Sequence, residues 1–268
     1  MEQVAYHRAQ SDPGLVLSTG CYSSYTFKPH YHLDYHLGMI VDGVQRQKIN
    51  GETALFGPGC ISVVPPDQVH DGSTYSGDSY TLRTFRVAPA LIEGALAEMF
   101  ELASGTEFRG ALLQKPAIAK GLIALHDSLA HGQSLSSMGC EQQWISLLQP
   151  LFAELGQLRP IVVSGGLGMQ HWRQVRDYCH ANLANKIVLD ELAQLCRMSR
   201  FQFLRRFEAT TGLTPRAWLI RLRLESACEL LSSGKHSILD VATAVGFYDQ
   251  SHFNRAFRQA FGVAPSAY

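Results

Sequence analysis

Five side chains between residues 30 and 70 could bind a small molecule or a metal ion: His30, His32, Asp34, His36 and His70. A neutral imidazole has one hydrogen-bond donor and one acceptor, and the acceptor nitrogen is also a ligand for zinc, nickel, copper and iron. If residues 30–36 form one strand, the first four side chains point to the same side, because side chains alternate along a strand. We expect His70 to approach this row from another strand or loop of a barrel.

A second group of side chains, near the C-terminus, is typical of proteins that contact DNA. Arg, Gln, Asn and Ser form hydrogen bonds with base edges in the major groove, and they reach the bases from the N-terminal half of a recognition helix. The sequence predicts two such helices. Their predicted DNA-contacting residues are Arg200, Phe201, Leu204 and Arg205 in the first helix, and Gln250, Ser251, Asn254 and Arg255 in the second.

Both helices belong to a helix-turn-helix pattern that occurs twice in residues 189–268. Equivalent residues before the turn are 49 positions apart, as in Ala193 and Ala242, and those after it are 50 apart, as in Phe203 and Phe253. The second copy therefore has one extra residue at its turn. A small residue such as alanine allows two crossed helices to approach closely.

Each copy also has the residues that begin and orient its second helix. Ser199 and Asp249 are suited to N-capping, because their side-chain oxygens can accept hydrogen bonds from the first helical turn. Phenylalanines spaced four residues apart predict the buried face of each helix. These pairs are Phe203 with Phe207 and Phe253 with Phe257.

With these motifs, residues 169–268 resemble the DNA-binding part of the AraC/XylS family of transcription regulators. The similarity includes a linker helix over residues 215–231 and the spaced residues Gly246, Phe247, Ser251, Phe253, Arg255, Phe257, Gly262, Pro265 and Tyr268. The resemblance implies two recognition helices that enter successive major grooves of double-stranded DNA, about 34 Å apart on one face. It also implies a homodimer that works with RNA polymerase. The alternative is a helical bundle whose arginines only face solvent.

The N-terminal half has the pattern of a β-rich domain. Strands are predicted over residues 14–87, with glycine and proline turns at short intervals. The dipeptide Asn50-Gly51 lies between two strand-like segments and predicts a hairpin. The segment Gly57-Pro58-Gly59 predicts a corner before a short buried strand. Many short strands joined by such corners favour a barrel or jelly roll.

The histidines lie in a spacing that resembles the cupin-like sensor domain of AraC-like regulators. The similar residues, in order, are His30, His32, Gly43, Gly57, Gly59, Pro65, Pro66 and His70. The resemblance implies that the five side chains hold a small organic effector without a metal or another cofactor. Metal-binding cupins also need a glutamate where this chain has His36 or Leu37. A metal site, and histidines that only fill the core or face solvent, are the two alternatives.

Three helices are predicted between the strands and the C-terminal motifs, over residues 88–100, 118–130 and 140–155. The third has an apolar stripe that includes Trp144, Leu148 and Phe152. Such a stripe is wide enough to pack on a core and long enough to form a dimer seam, so both roles stay open.

Glycines and a proline in residues 156–169 predict a linker between two domains. We therefore predict a sensing and dimerisation domain over residues 1–160 and a DNA-binding domain over residues 161–268, in an α+β chain. Residues from 161 onward contain 13 Lys and Arg against 8 Asp and Glu, whereas residues 1–160 contain 10 against 15. A basic half joined to an acidic half is typical of a DNA-binding domain fused to a sensor.

The six cysteines stand singly, without zinc-finger spacing, which favours small buried hydrophobic residues in a reducing cytosol. The N-terminus has no signal-sequence pattern, and no apolar run approaches the ~20 residues that span a bilayer. We expect a cytoplasmic protein without a membrane segment.

Together these patterns predict a sequence-specific transcription regulator, an activator, controlled by a small effector in the N-terminal barrel. No Ser/His/Asp set, carboxylate pair or phosphate loop indicates catalysis, so we do not expect an enzyme. One alternative is a metal-dependent cupin enzyme fused to a DNA-binding domain. A second is an alkylation-response regulator of the Ada kind, but that needs four zinc-binding cysteines and only Cys21 and Cys60 lie near the N-terminus.

Overall fold

A computed structural model describes residues 3–8, 12–100, 108–135, 138–156 and 165–268 of the chain. The chain divides into two compact units, Met1–Ile161 and Val162–Tyr268. The predicted linker falls mostly on residues 157–164, which lie outside the described residues.

The first unit is β-rich, as predicted. Its described strands are β1 (Gln3–Arg8), β2 (Leu15–Tyr22), β3 (Phe27–His30), β4 (Tyr35–Asp42), β5 (Gln45–Ile49), β6 (Glu52–Phe56), β7 (Cys60–Val64), β8 (His70–Thr74), β9 (Tyr80–Val87) and β10 (Ala111–Gln114). Six strands form one sheet in the order β1-β2-β9-β4-β7-β10, and four form a second in the order β3-β8-β5-β6. The described strand pairs are antiparallel.

The hairpin between β5 and β6 forms where the sequence predicts it. Asn50 and Gly51 both have positive φ, 57° and 80°, so the two-residue turn matches the right-handed twist of the strands. Ile49 pairs with Glu52 across the turn. This register gives β5 one buried face, with Gln45 and Gln47 on it.

The six-stranded sheet has two covered faces. The three predicted helices form as α1 (Pro89–Phe100), α2 (Pro116–Ala130) and α3 (Met138–Leu155), and they pack on one face of this sheet. Leu37, Met39 and Phe85 point from the sheet into that core. On the other face, Ile40 and Tyr80 pack with Phe56 of the four-stranded sheet, so the two sheets enclose a second interior. The apolar stripe of α3 is used for core packing, because the side chains of Trp144, Leu148, Leu151, Phe152 and Leu155 are all buried there.

Residues 30–36 do not form one strand, so the condition under which His30, His32, Asp34 and His36 would point to the same side is not met. Strand β3 ends at His30 in the four-stranded sheet, and β4 begins at Tyr35 in the six-stranded sheet. The four residues between them carry the chain from one sheet to the other. Side-chain alternation within a short segment cannot reveal such a crossover, because a crossover depends on how the two sheets stack.

The second unit is helical. Its elements are α4 (Met169–Ala181), α5 (Leu189–Leu195), α6 (Arg200–Thr211), α7 (Pro215–Ser232), α8 (Ile238–Ala244), α9 (Gln250–Phe261) and a 3₁₀ turn (Pro265–Ala267). The pairs α5–α6 and α8–α9 are the two predicted helix-turn-helix copies, and α7 is the predicted linker helix. Among the described helices, none combines the length and the apolar character needed to cross a bilayer.

The caps and core of both copies confirm the sequence predictions. The Ser199 hydroxyl accepts from the Gln202 N–H at 3.3 Å, and the Asp249 carboxylate accepts from the His252 N–H at 2.7 Å. The side chains Ala193, Ala242, Phe203, Phe207, Phe253 and Phe257 are all buried.

The two turns show which residue is the extra one. Arg197 and Gly246, 49 positions apart, both have positive φ, 52° and 83°. The next residue in each copy donates its N–H to the alanine carbonyl, Met198 to Ala193 and Phe247 to Ala242. The capping residues are 50 apart, so the added residue is Tyr248.

The linker helix α7 contains a buried ion pair. Arg221 Nη2 lies 2.7 Å from Glu225 Oε1, and both side chains are buried. The Arg221 guanidinium also lies 4.9 Å from the centroid of the Phe261 ring. Contact between a cation and a ring face is attractive, so this arginine attaches α7 to the end of α9.

Five cysteines are buried, in agreement with the sequence prediction, but Cys21 on β2 is exposed. Burial raises the pKa of the Cys179 thiol to about 12. That thiol therefore stays protonated at neutral pH, as expected for a residue that serves the core of the second unit.

Candidate functional site

The outer faces of α6 and α9 have the same layout. Arg205 and Arg255 are 50 positions apart, occupy equivalent positions, and are both exposed. Phe201 and its equivalent Ser251, near the N-terminal ends of the two helices, are also exposed, Phe201 to 73%. A large apolar side chain this exposed suits contact with a thymine methyl group in a major groove.

The other predicted DNA-contacting residues lie on these helices but are less accessible. Leu204, Asn254 and Gln250 are half-buried. The Asn254 side-chain oxygen is buried and accepts no hydrogen bond within the described structure.

Arg200, the first residue of α6, has a partner inside the unit. Its guanidinium forms two hydrogen bonds with the carboxylate of Asp190 on α5, and this ion pair raises the pKa of Arg200. The pair joins the two helices of the first copy. The second copy has Gln250 at this position, which carries no charge.

The prediction of DNA-contacting residues did not include Tyr248, although its side chain is 97% exposed. It lies between the two helices of the second copy, next to the first turn of α9. The signal for it was present in the sequence as the change in offset from 49 to 50. An exposed phenol at this end of a recognition helix can donate to a phosphate oxygen.

In the first unit, three of the five predicted effector residues come together. His30, His32 and His70 each offer a ring nitrogen, and these three atoms all lie within 4.8 Å of one another. His30 is directly opposite His70 in the β3–β8 pairing, and His32 belongs to the crossover segment. His32 and His70 are buried, and His30 is half-buried.

Two backbone carbonyls set the tautomers of two of these rings. His30 Nδ1 lies 2.7 Å from the Lys28 carbonyl oxygen, and His70 Nδ1 lies 3.1 Å from the Gln68 carbonyl oxygen. A carbonyl can only accept, so each Nδ1 carries the hydrogen and donates it. The lone pair of each neutral ring is therefore on Nε2.

The other two predicted effector residues are close by and have different contacts. His36 stacks on His32, with ring centroids 3.4 Å apart and planes 9° apart, but it is not one of the three clustered histidines. Asp34 accepts a hydrogen bond from Arg86 Nε, an arginine that is 5% exposed. Because of this ion pair, the carboxylate has a role in holding the crossover segment to β9.

The interior between the two sheets contains more polar side chains than the sequence analysis identified. Gln45, Gln47, Ser62 and Arg86 are all buried. Gln45 Nε2 donates to the Tyr80 hydroxyl at 2.8 Å, whereas Gln47 Oε1 and Ser62 Oγ have no hydrogen bond within the described structure.

Sequence patterns did not predict the polar lining of this interior. All four residues from Gln45 to Lys48 are polar, so no hydrophobic alternation shows which face of β5 is buried. Ser62 gave a better signal, because it is the one polar side chain in the buried strand β7.

A separate cavity of about 350 Å³ lies where β1 and β2 meet the end of α2. Its lining includes Arg8, Leu15, Leu17 and Leu129. None of the five predicted effector residues lines it, so this cavity is distinct from the histidine cluster.

The comparison with known families identifies the chain. Residues 12–148, just over half of it, match the family model described as "AraC-like ligand binding domain". The chain belongs to the AraC family. In this AraC-family chain, residues 192–268 match a second model, described as "Helix-turn-helix domain". The two matches lie on the β-rich unit and on the helical unit respectively.

Relatives of this AraC-family chain have the names of regulatory proteins. The MmsAB operon regulatory protein of Pseudomonas aeruginosa is 38% identical over 124 residues, which are 46% of this chain and 39% of that protein. The chain is thus aligned to about two fifths of that relative's length. The Bacillus subtilis protein named "Uncharacterized HTH-type transcriptional regulator YbfI" is 24% identical over 226 residues, which are 84% of this chain and 81% of that protein.

Solved structures of ToxT from Vibrio cholerae share the fold of this AraC-family chain. A singly substituted form of apo ToxT has a TM-score of 0.67 at 13% identity, covering 97% of this chain and 98% of that chain. Wild-type ToxT bound to an unsaturated fatty acid has a TM-score of 0.66 at 14% identity, covering 97% and 96%. At these identities the similarity concerns the fold alone.

Proposed function

We propose that this AraC-family chain is a sequence-specific DNA-binding transcription regulator, acting as an activator, that responds to a small molecule held in the N-terminal barrel. The observation that carries the proposal is the presence of Arg205 and Arg255 at equivalent, exposed positions of two helix-turn-helix copies. Arginine can contact a guanine through two hydrogen bonds, so two such helices can select sequence in two major grooves.

The proposed DNA contacts come from the N-terminal halves of α6 and α9. Phosphate contacts from the backbone and from Tyr248 would position each helix, and side chains would contact base edges. Both copies offer an arginine at the equivalent position. Beside it, the first copy offers Arg200 and the apolar side chains Phe201 and Leu204, whereas the second offers the uncharged polar side chains Gln250, Ser251 and Asn254. The proposed base-contacting set is Arg200, Phe201, Leu204, Arg205, Gln250, Ser251, Asn254 and Arg255.

The proposed effector site is the interior between the two sheets, at His30, His32, His36 and His70, with Asp34 at its edge. The polar lining supports an effector with polar groups, because Gln47 Oε1 and Ser62 Oγ are buried and would gain hydrogen bonds from it. An effector changes DNA binding only if it binds one conformation of the regulator more tightly than the other.

We propose that the regulator works as a homodimer, contacts RNA polymerase, and acts in the cytoplasm. We also propose that residues 161–268 form a DNA-binding domain separable from residues 1–160. The alternative of a metal-dependent enzyme has no support from the relatives named above, which are regulators.

The test of DNA recognition begins with selection of a binding site from random duplexes by the full chain. Arg205→Ala and Arg255→Ala are each expected to weaken binding to the selected site by about 1–3 kcal/mol and to relax the preference at one base position. Fluorescence anisotropy on the selected and on a scrambled duplex measures both effects.

Arg206→Ala is the matched control for this test. Arg206 is exposed on the same helix, about 100° around the axis from Arg205, so its loss should affect both duplexes equally. If Arg205→Ala and Arg255→Ala also weaken the two duplexes equally, these arginines contact phosphates and do not select sequence.

A further inference from the structure

We infer that His30, His32 and His70 form a binding site for one divalent transition-metal ion, of the range from Fe²⁺ to Zn²⁺, in the sensor unit. This departs from the metal-free pocket expected from the sequence. It deepens the proposed effector site, and it rests on the proposed function only for its effect on DNA binding.

The distances suit three ligands to one ion. Because the three ring nitrogens all lie within 4.8 Å of one another, an ion placed between them can be no more than about 2.8 Å from each. Zinc–nitrogen bonds are ~2.0–2.1 Å long, so each ring would move inward by at most roughly 0.7 Å to bind the ion. A shift of this size needs only small changes in side-chain torsion angles.

The tautomers also suit metal binding. The Nδ1–H groups of His30 and His70 donate to backbone carbonyls, which leaves Nε2 of each ring with its lone pair. Histidines that bind metals typically donate their other ring N–H in this way, because the contact orients the ring and raises its basicity. The third ring, His32, is held in its plane by stacking on His36.

The three imidazole ligands favour a transition-metal ion such as Zn²⁺ over Mg²⁺ or Ca²⁺. Among the described residues, the cluster consists of imidazoles only, and the nearby carboxylate of Asp34 is engaged by Arg86. Imidazole nitrogens suit zinc, copper, nickel and iron, whereas magnesium and calcium prefer oxygen ligands.

Three protein ligands leave an open coordination position on a tetrahedral ion. Three neutral imidazoles do not offset the charge of the ion, so the open position would favour an anionic oxygen donor. We therefore assign the effector to small molecules with a carboxylate or a similar anionic group. Gln47 and Ser62, buried on the same interior, are available to bind its other polar groups.

Zinc binding by the full chain tests the site. After treatment with EDTA and removal of the chelator, the protein is titrated with Zn²⁺ in competition with a chromophoric chelator. We expect one zinc per chain, and an affinity at least about 100-fold lower in His30→Gln, His32→Gln and His70→Gln. His131→Gln, which alters an exposed histidine at the end of α2, should bind zinc as the unchanged protein does. Zinc binding that is absent, or equal in all four variants, overturns the site.

A second measurement does not depend on whether the variants fold. The chain with ¹⁵N-labelled histidine should show large shifts of the ring-nitrogen resonances of three histidines at one equivalent of Zn²⁺. His36, which stacks on His32, should shift less, and the remaining histidines should not change. Shifts confined to other histidines, or no shifts, overturn the inference. Visible absorption of the Co²⁺-substituted protein gives the coordination number, and a weak octahedral spectrum contradicts the open tetrahedral site.

Anisotropy with the selected DNA separates this inference from the proposed function. We expect Zn²⁺ together with a carboxylate effector to change affinity for the selected duplex at least about fivefold, the lower end of typical coupling between two sites, and His70→Gln to abolish that change. Sequence-specific DNA binding that no metal alters overturns the regulatory role of the ion and leaves the regulator proposal standing. Zinc binding without any sequence-specific DNA binding overturns the regulator proposal and leaves the metal site standing.

Discussion

The two compact units place their polar side chains in opposite locations. In the β-rich unit, His32, Gln45, Gln47, Ser62, His70 and Arg86 are buried between the sheets, and Asp12 and His126 are buried elsewhere. In the helical unit, the described buried polar side chains are Thr211 and the pair Arg221 with Glu225, whereas Arg205 and Arg255 face outward. A unit that binds a small molecule needs polar groups inside, and one that binds DNA needs them on its surface.

Buried polar groups in the two units also differ in how they affect stability. Polar groups buried for packing are paired, and removal of one partner is costly, whereas polar groups buried for a ligand are incompletely paired until the ligand binds. Substitutions of Glu225, His126 and Gln47, each with a matched control, distinguish these two kinds of buried group.

The largest effect is expected for Glu225→Ala in the helical unit. The change leaves Arg221 buried without its carboxylate, which typically costs about 3–5 kcal/mol of unfolding free energy. Hydrogen exchange of the α7 amides and urea unfolding of the full chain measure the loss. Asp190→Ala removes the partner of Arg200 in an exposed ion pair and should leave both measurements nearly unchanged. A small effect of Glu225→Ala would mean that this buried pair is not structural.

The next effect depends on pH and concerns His126 in the β-rich unit. Burial, with a smaller contribution from Arg83, lowers the pKa of His126 to about 4 from its usual value of 6.5, while its Nε2 contacts the Ser18 carbonyl. Above about pH 6.5 the ring is neutral in both the folded and the unfolded chain, so protonation of His126 does not reduce the free energy of unfolding. As the pH falls from about 6.5 to about 4, the unfolded chain binds a proton that the folded chain does not, which costs roughly 3 kcal/mol.

Urea unfolding of the unchanged protein and of His126→Gln at about pH 7 and about pH 4.5, on either side of the ordinary histidine pKa, checks this expectation. Between these two pH values, the free energy of unfolding should fall less in His126→Gln than in the unchanged protein, and the difference should be most of the roughly 3 kcal/mol. The exposed His131 is the control, because His131→Gln should retain the full pH dependence. Parallel pH profiles for all three proteins would contradict a neutral, buried His126.

The smallest effect, and the one most specific to the comparison, is expected for Gln47→Met. Gln47 Oε1 is buried without a hydrogen bond in the described structure, so an apolar side chain of similar length should stabilise the unit by about 1 kcal/mol. Gln45→Met is the matched change on the same face of β5, and it should destabilise by about 1 kcal/mol because it removes the bond to Tyr80. Thermal unfolding compares the two, and equal signs would argue against a ligand-binding interior.

Sequence patterns alone predicted the helical unit in detail, because the information that specifies it is local. Caps at Ser199 and Asp249 act within three residues, and the phenylalanine pairs lie one turn apart. The Asn50-Gly51 hairpin is local in the same way. Partners more distant in sequence were missed, such as Asp190 for Arg200 and β7 for β10, because no periodicity in either segment identifies them.

The amino-acid sequence by itself determined that this chain has a β-rich part, a linker helix and two helix-turn-helix copies. Only the tertiary structure decided which polar side chains meet. His30 and His70 are 40 residues apart and become neighbours because β3 pairs with β8, and His32 joins them because the chain crosses between sheets directly after β3. Sheet pairing and sheet stacking are long-range events, so the alternation of side chains along one segment cannot specify the site that they create.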